Sequence, residues 1–230
     1  MYINETIERN ENPAASMSGA LSTVYLMDCI EGMKQYPENH FQLSVVDPPY
    51  GINASKGNWG SSNKGKVTNY GKKDWDNQPP TEEYFVELRR VSKNQIIWGG
   101  NYFGLPASSC WLVWDKLNSG DFADCELAWT SFNTAVRKFN WRWNGMLQHD
   151  MKNKETRIHP TQKPVALYDW IFHNYAKEGD LILDTHLGSQ SSRIAANKAG
   201  LDFVGFEVDR EYYDQGNKRF KDFVSQMRLF

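Results

Sequence analysis

The residues Asp47-Pro48-Pro49-Tyr50 follow directly on an apolar run, Phe41-Gln42-Leu43-Ser44-Val45-Val46, and bring together the groups needed to act on a conjugated amine. An exocyclic amino group on a nucleic-acid base is a poor nucleophile because its lone pair is delocalised into the ring. Two acceptors, the Asp47 carboxylate and the Pro48 carbonyl, would hold its two N–H groups and push the nitrogen towards tetrahedral geometry. Paired prolines fix φ and remove backbone donors, which keeps that carbonyl pointing outward. Tyr50 offers a flat face for a base taken out of its helix. The reaction this set suits is methyl transfer to the amine. A proline-stiffened turn with no catalytic role has the same composition, so the remainder of the chain must decide between the two.

A second segment, Asp184-Thr185-His186-Leu187-Gly188-Ser189-Gln190, joins an apolar strand to a helix, and another strand ends in Glu207. The spacing, about 20 residues from turn to acid, is that of a nucleoside site, where a small-residue turn admits the ligand to the backbone and the acid holds ribose hydroxyls. One glycine stands where a dinucleotide fingerprint has three. With no pyrophosphate to cradle, a nucleoside such as S-adenosylmethionine fits better than NAD. An ordinary strand–turn–helix with a surface Glu207 is the plain alternative.

The elements that must position these turns alternate along the chain. Strands are expected at Thr23–Asp28, Phe41–Val46, Gln95–Trp98, Trp111–Trp114, Glu126–Thr130, Leu181–Asp184 and Phe203–Glu207. Helices are expected from Cys29 to about Gln35, over Thr81–Val91 with Thr81 as N-cap, over Val165–Tyr175 behind Pro164, over Ser191–Lys198, and from Glu211 onward. That alternation predicts an α/β fold with a doubly wound, mostly parallel sheet. The turn at Asp47 then lies at a strand's carboxyl end, where such sheets bind ligands. Residues 1–20 read as a flexible lead-in and 21–230 as one domain. Within it, 51–80 reads as a long mobile loop and 132–158 as a basic, aromatic, irregular region suited to target recognition.

At 230 residues the chain can bury a substantial core. A formal net charge of −2 means that a nucleic-acid partner must meet a local basic surface. Cys29, Cys110 and Cys125 are widely spaced and read as reduced core thiols of a cytoplasmic protein; no metal set is expected. No apolar run reaches the roughly 20 residues of a membrane span, and the polar start lacks a signal-peptide core.

With Asp47-Pro48-Pro49-Tyr50 early, His159-Pro160-Thr161-Gln162-Lys163-Pro164 late and the Asp184 turn after it, the chain resembles the β-class amino-group DNA methyltransferases. Trp98-Gly99-Gly100-Asn101-Tyr102-Phe103 and the stretch from Trp111 to Lys116 further resemble a compact, often phage-associated branch. The resemblance implies an S-adenosylmethionine-dependent methyltransferase fold acting on adenine N6 or cytosine N4 in DNA by base flipping. It gives Asp47, Pro48, Pro49 and Tyr50 the catalytic role. It places Asp184, Thr185, His186, Gly188 and Ser189 around the methionine end of the cofactor and Glu207 on its ribose. Asp28 would take the adenine amino group with Cys29 beside it, and Thr161 and Lys163 would reach the amino-acid portion. His159 reads as a loop-orienting histidine. Gln190 departs from the family's final glycine; its place at a helix start predicts a side chain turned to water.

Two segments are candidates for DNA. Lys56, Lys64, Lys66, Lys72 and Lys73 leave directly from the Asp47 turn and suit phosphate contacts, while Arg137, Lys138, Trp141 and Arg142 mix charge with aromatics. A solvated linker and an edge strand are their plain alternatives. With room for only a small recognition region, the chain is expected to read a short site, to have relaxed specificity, or to work with a second copy or subunit. Adenine N6 is preferred because many cytosine N4 enzymes of the family carry Ser at the position of Asp47. Absence of a Pro-Cys turn speaks against C5 methylation, and an Asn would begin the turn in enzymes that methylate protein glutamine. A methyltransferase fold that binds DNA or a partner without turnover, through Gln190, is the further alternative.

Overall fold

Short apolar runs form a single eight-stranded sheet here, and the amphipathic stretches between them form its covering helices. The computed structural model describes residues 19–53, 76–118, 123–144 and 147–227. From the amino end come β1 (Ser22–Leu26), α1 (Cys29–Met33), β2 (Phe41–Val46), α2 (Glu82–Val91) and β3 (Ser92–Trp98). A 3-10 turn at Gly100–Tyr102 leads to β4 (Trp111–Asp115), β5 (Cys125–Thr130) and β6 (Arg137–Asn140). The short strands β7 (Trp143–Asn144) and β8 (Leu147–Gln148) form a separate hairpin. Then follow α3 (Val165–Tyr175), β9 (Leu181–Asp184), α4 (Ser191–Lys198), β10 (Asp202–Glu207) and α5 (Arg210–Met227).

The sheet runs β1-β10-β9-β2-β3-β5-β4-β6. Every neighbouring pair is parallel except β3–β5 and β4–β5, so β5 alone is reversed. A parallel sheet needs both faces covered. On one face Leu43, Val45, Ile96, Trp98 and Ile182 pack with Leu167 and Ile171 of α3 and Ala195 of α4. On the other, Val46, Ile97, Leu183 and Phe206 pack with Met33 of α1 and Tyr84, Leu88 and Val91 of α2.

The bounds expected for β2, α3, β9 and α4 are those found, and the remaining elements differ by a few residues at their ends. Three expectations need correction. Thr81 occupies the N-cap of α2, but its side chain makes no capping hydrogen bond. The stretch after Phe132 is not irregular throughout. Its β6 pairs in parallel with β4 from Leu112↔Arg137 to Asp115↔Asn140, and an edge strand with only Phe139 turned inward shows no alternating pattern. Of the three thiols, only Cys110 is buried; Cys29 is half-buried and Cys125 exposed.

Gln190 is the fourth correction. Its side chain is wholly buried, not turned to water, and its φ is +58°, in the left-handed region. The cause is Arg193, whose buried guanidinium has no carboxylate partner among the described residues. It donates to Ser22 Oγ (2.8 Å), Gln190 Oε1 (2.9 Å) and Asn217 Oδ1 (2.7 Å), and lies 3.9 Å over the Phe220 ring. Burial lowers its pKa to about 10, which keeps the cation. Gln190 Nε2 extends towards the Tyr213 carbonyl and Asn217. The room comes from Gly216 in α5, where an added Cβ would stand 2.6 Å from Gln190 Nε2. Gln190→Ala should therefore lower stability by about 1–3 kcal/mol in denaturant titration, the cost of a buried donor left without its acceptor. Gln190→Gly should recover about 1 kcal/mol of that by relieving the left-handed backbone. Unchanged stability in both variants would show that Arg193 does not need the glutamine.

Candidate active site at the carboxyl ends of the sheet

The order β1-β10-β9-β2 sets four carboxyl strand ends side by side, each with an acid at or just beyond it. These are Asp28 after β1, Glu207 ending β10, Asp184 ending β9 and Asp47 after β2. From β9 the chain winds one way to β10, and from β2 the other way to β3. The crevice opened by that reversal lies between Asp184 and Asp47, the two sequence motifs expected to act together.

Asp47 is anchored at both oxygens. Tyr50 donates its hydroxyl to Oδ1 at 2.7 Å, and Lys163 Nζ donates to Oδ2 at 2.5 Å. Lys163 is itself buried, 3.3 Å from the Tyr50 hydroxyl and 3.1 Å from Glu126 Oε2. Lys116 pairs with the other Glu126 oxygen. Four charges thus alternate along the line Lys116, Glu126, Lys163, Asp47. Burial by itself disfavours the charged forms of Asp47, Glu126 and Lys163. It raises the Asp47 pKa despite Lys163, whereas for Glu126 it is overcome by Lys163 and Lys116, which pull the carboxyl down to about 2. Burial likewise works against the Lys163 cation, but Asp47 and Glu126 outweigh it and hold the ammonium firmly protonated.

The Tyr50 ring is enclosed. Tyr102, half-exposed, stacks on it at 5.0 Å and 15°, and Phe103 meets it edge-on at 6.1 Å. Gly99, at φ +69°, passes so near that a Cβ would lie 2.2 Å from the ring. Beyond the turn, Gly51 N donates to Asp76 Oδ1 (2.9 Å) and Asn53 N to the Asp76 carbonyl (3.0 Å), closing the chain into a neck where 51–53 meets Asp76.

The second motif is equally ordered. Asp184 accepts from Ser192 Oγ (2.5 Å) and the His186 amide (3.0 Å). Burial drives its pKa to about 7, against those two bonds and with help from Asp47 and Glu207. Thr185 Oγ1 lies 2.6 Å from the Tyr84 hydroxyl and 2.9 Å from His186 Nδ1, and burial lowers His186 to about 4, so it is neutral. Glu207 is no surface residue. Its carboxylate accepts from the amides of Gly188 (2.8 Å), Val208 (3.0 Å) and Asp209 (2.9 Å), bracing the glycine turn. Ser189 is buried, and its carbonyl accepts from Arg219 at 2.7 Å.

Asp28 caps α1, its Oδ1 accepting from the amides of Ile30 and Glu31, and the half-buried Cys29 thiol beside it is raised to about 12 by burial and by Asp28. His159 orients its own loop: its Nδ1 lies 3.1 Å from Thr161 Oγ1, and its ring packs on Tyr212 at 4.3 Å. The same ring borders Gly188, where a Cβ would come within 3.6 Å of it. Thr161 therefore stands beside the cofactor turn, while Lys163 stands at the catalytic one. The open backbone at Gly188 and the acids on both sides fit a small cationic nucleoside. Among the described residues no group of His, Cys, Asp and Glu is arranged to hold a metal ion, and no helix is long and apolar enough to cross a membrane.

Of the DNA-facing candidates, Lys56, Lys64, Lys66, Lys72 and Lys73 lie outside the described residues. Arg137 and Lys138 are exposed on β6, the edge of the sheet, with Lys138 3.4 Å from Asp115. Arg142 is exposed, but Trp141 is already sandwiched between Phe139 (5.8 Å) and His149 (4.3 Å). Sequence reading passed over Glu126, Lys116, Tyr84 and Tyr102. Glu126 and Lys116 flank the reversed strand and its neighbour, where nothing local marks them as joined. The one usable signal was an acid opening an otherwise apolar strand, Glu126-Leu127-Ala128-Trp129.

A family model described as DNA methylase matches residues 106–218, which includes Glu126, Lys163, Asp184 and Glu207. Type II methyltransferase M2.DpnII of Streptococcus pneumoniae is 26% identical over 231 residues, covering 81% of this chain and 84% of its own. Among solved structures, the cytosine-N4-specific PvuII DNA methyltransferase matches with a TM-score of 0.56 at 12% identity, over 90% of this chain and 92% of that one. The M1.HpyAVI–SAM complex matches at 0.53 and 19% identity, over 85% and 98%. At these identities the structural likeness is one of fold.

The buried Asp184 carboxyl makes a test of its own. In the native protein it keeps its proton up to about pH 7, whereas an unfolded aspartate releases it near 3.9. Folding takes up a proton between those values, so this group's stabilising contribution, full at low pH, is lost as the pH rises through about 7. Denaturant midpoints measured from pH 4.5 to 8 should fall more steeply for the wild type than for Asp184→Asn. Parallel curves would mean that Asp184 is ionised throughout.

Proposed function

We propose that the chain is an amino-group DNA methyltransferase, a reading its likeness to that family supports, and that it methylates adenine N6 in DNA, drawing the methyl group from S-adenosylmethionine. The observation that carries this reading is the anchored Asp47 carboxylate beside the Asp184 turn. A target amine entering the crevice meets Asp47 and the Pro48 carbonyl as acceptors for its two N–H groups. Holding both draws the nitrogen lone pair out of conjugation and aims it at the methyl group. When bound, the cofactor supplies a methyl group on a positively charged sulfur. Asp184 to Ser189 would hold its methionine end, Thr161 the amino-acid portion, and Glu207 and Asp28 the ribose and adenine. Asp47 in place of Ser supports adenine over cytosine N4. Tyr102, half-exposed on Tyr50, occupies a position suited to a flipped base and would swing aside or join it in a stack. The ground for a binding-only protein weakens, because the Gln190 side chain turns to Arg193 and away from the cofactor crevice. Action on DNA agrees with a cytoplasmic site in a bacterium or during phage infection.

Incubation with labelled S-adenosylmethionine and genomic DNA, then digestion to nucleosides and mass spectrometry, should yield N6-methyladenine. N4-methylcytosine alone would overturn the base assignment. Asp47→Ala should lose at least about 10²-fold in rate with cofactor affinity retained. Glu207→Ala should instead weaken cofactor binding, by about 1.5–3 kcal/mol in calorimetry.

The DNA surface is proposed to combine Lys64, Lys66, Lys72 and Lys73 with Arg137, Lys138 and Arg142, and a second copy or subunit would extend so small a footprint. Replacing the four lysines by alanine should lower the slope of log affinity against log salt by roughly 0.9 for each phosphate no longer neutralised. Sequence preference should stay, since lysines on phosphates position the protein without reading bases. An unchanged slope would shift the role to Arg137, Lys138 and Arg142.

A further inference from the structure

Methyl transfer leaves a proton to be disposed of. As the nitrogen–carbon bond forms from the amine lone pair, the carbon–sulfur bond breaks onto sulfur, and the methylated nitrogen carries one proton too many. The groups that face Asp47 come from several elements: Tyr50 on its own turn, Lys163 before α3, Glu126 on β5, Tyr84 on α2, Tyr168 on α3 and Asp184 on β9. Lys163 already carries its full complement of protons. Burial holds the three tyrosines well above their ordinary range, so they stay protonated, and Glu126 stands behind Lys163. The Asp47 carboxylate is the acceptor within reach. The N–H bond breaks onto nitrogen, an O–H bond forms on Asp47, and that proton later passes to water.

A lysine ammonium 2.5 Å from the carboxylate works against this, because it offsets part of the proton affinity that burial gives Asp47. Glu126 is the counterweight. Its Oε2 lies 3.1 Å from the same ammonium, whose charge is thus shared between two carboxylates, with the shorter contact, 2.5 Å, to Asp47. Lys116, on the far oxygen, keeps Glu126 ionised and in place. We propose that Glu126 is a positioning residue that shares the Lys163 ammonium with Asp47, and so leaves Asp47 basic enough to take the proton released by amine methylation. Lys163 in this role orients the carboxylate, Glu126 sets how strongly, and Lys116 fixes Glu126. The inference rests on the amine-methylation reading above.

The experiment is the pH dependence of single-turnover methyl transfer, with S-adenosylmethionine and DNA, in the wild type, Glu126→Gln and Lys163→Met. Rate requires ionised Asp47 and falls below its pKa. Without the Glu126 charge, Asp47 should bind its proton about tenfold less tightly, so the acidic limb should move to lower pH while the plateau rate drops. Without the Lys163 charge, the limb should move to higher pH. Glu126→Asp should restore most of the wild-type profile. Displacements of the two limbs in the same direction, or coincident limbs for the wild type and Glu126→Gln, would overturn the proposal.

A carboxyl carbon-13 titration of Asp47 in the unliganded protein reads the same coupling without turnover. There a tenfold fall in proton affinity in Glu126→Gln supports the assignment, and an unchanged value refutes it even if amine methylation is confirmed. Absence of any methylated amine with the wild type would instead defeat the reading on which the inference rests.

Discussion

A buried lysine ammonium and the carboxylate it touches join parts of this chain that are 116 residues apart, and the geometry of the site follows from that bond. Neither charge is tolerable alone in so dry a place. The parallel sheet has already assembled a surplus of acid, because four neighbouring strands deliver Asp28, Glu207, Asp184 and Asp47 to one edge. Each is stabilised in its own way. Backbone amides hold Asp28 and Glu207, a serine hydroxyl and an amide hold Asp184, and only Asp47 receives a full cation. That distribution separates the tasks. Amide-held acids are fixed braces, whereas Asp47 remains coupled to groups whose charge can be rebalanced.

The reversed strand β5 explains where the rebalancing comes from. Parallel strands present the residues that follow them to the crevice, but an antiparallel strand presents its beginning. Glu126, second in β5, therefore reaches the site although it precedes its strand's apolar run. Its neighbour β4 runs the other way and contributes Lys116 just past its end, two residues beyond Trp114, the register partner of Glu126, and near enough to pair with that carboxylate. One change of direction in the sheet thus adds an ion pair to a site that parallel topology would have left purely acidic on its strand ends.

Much of this was legible in the chain. The Asp47 and Asp184 turns sit at the ends of strands whose short apolar runs have nearly fixed bounds, and the order of motifs placed them at one crevice. The charge line was not legible, because it depends on contacts between Lys116, Glu126 and Lys163 that no local pattern encodes. β6 stayed hidden for a related reason. It is an edge strand in which a single aromatic, Phe139, faces the core, so periodicity has nothing to repeat. Gln190 was misread because a polar residue at a helix start ordinarily meets water. Here a buried guanidinium had a prior claim on its oxygen.

Gln190 and Gly216 also constrain one another. A side chain at 216 would occupy the volume that the Gln190 amide fills, since even a Cβ there would stand 2.6 Å from its nitrogen. The two positions are therefore not free to vary independently. Any side chain placed at 216 while the glutamine stays would overpack the space between α4 and α5, so the residue at the cofactor turn dictates what the distant helix can carry.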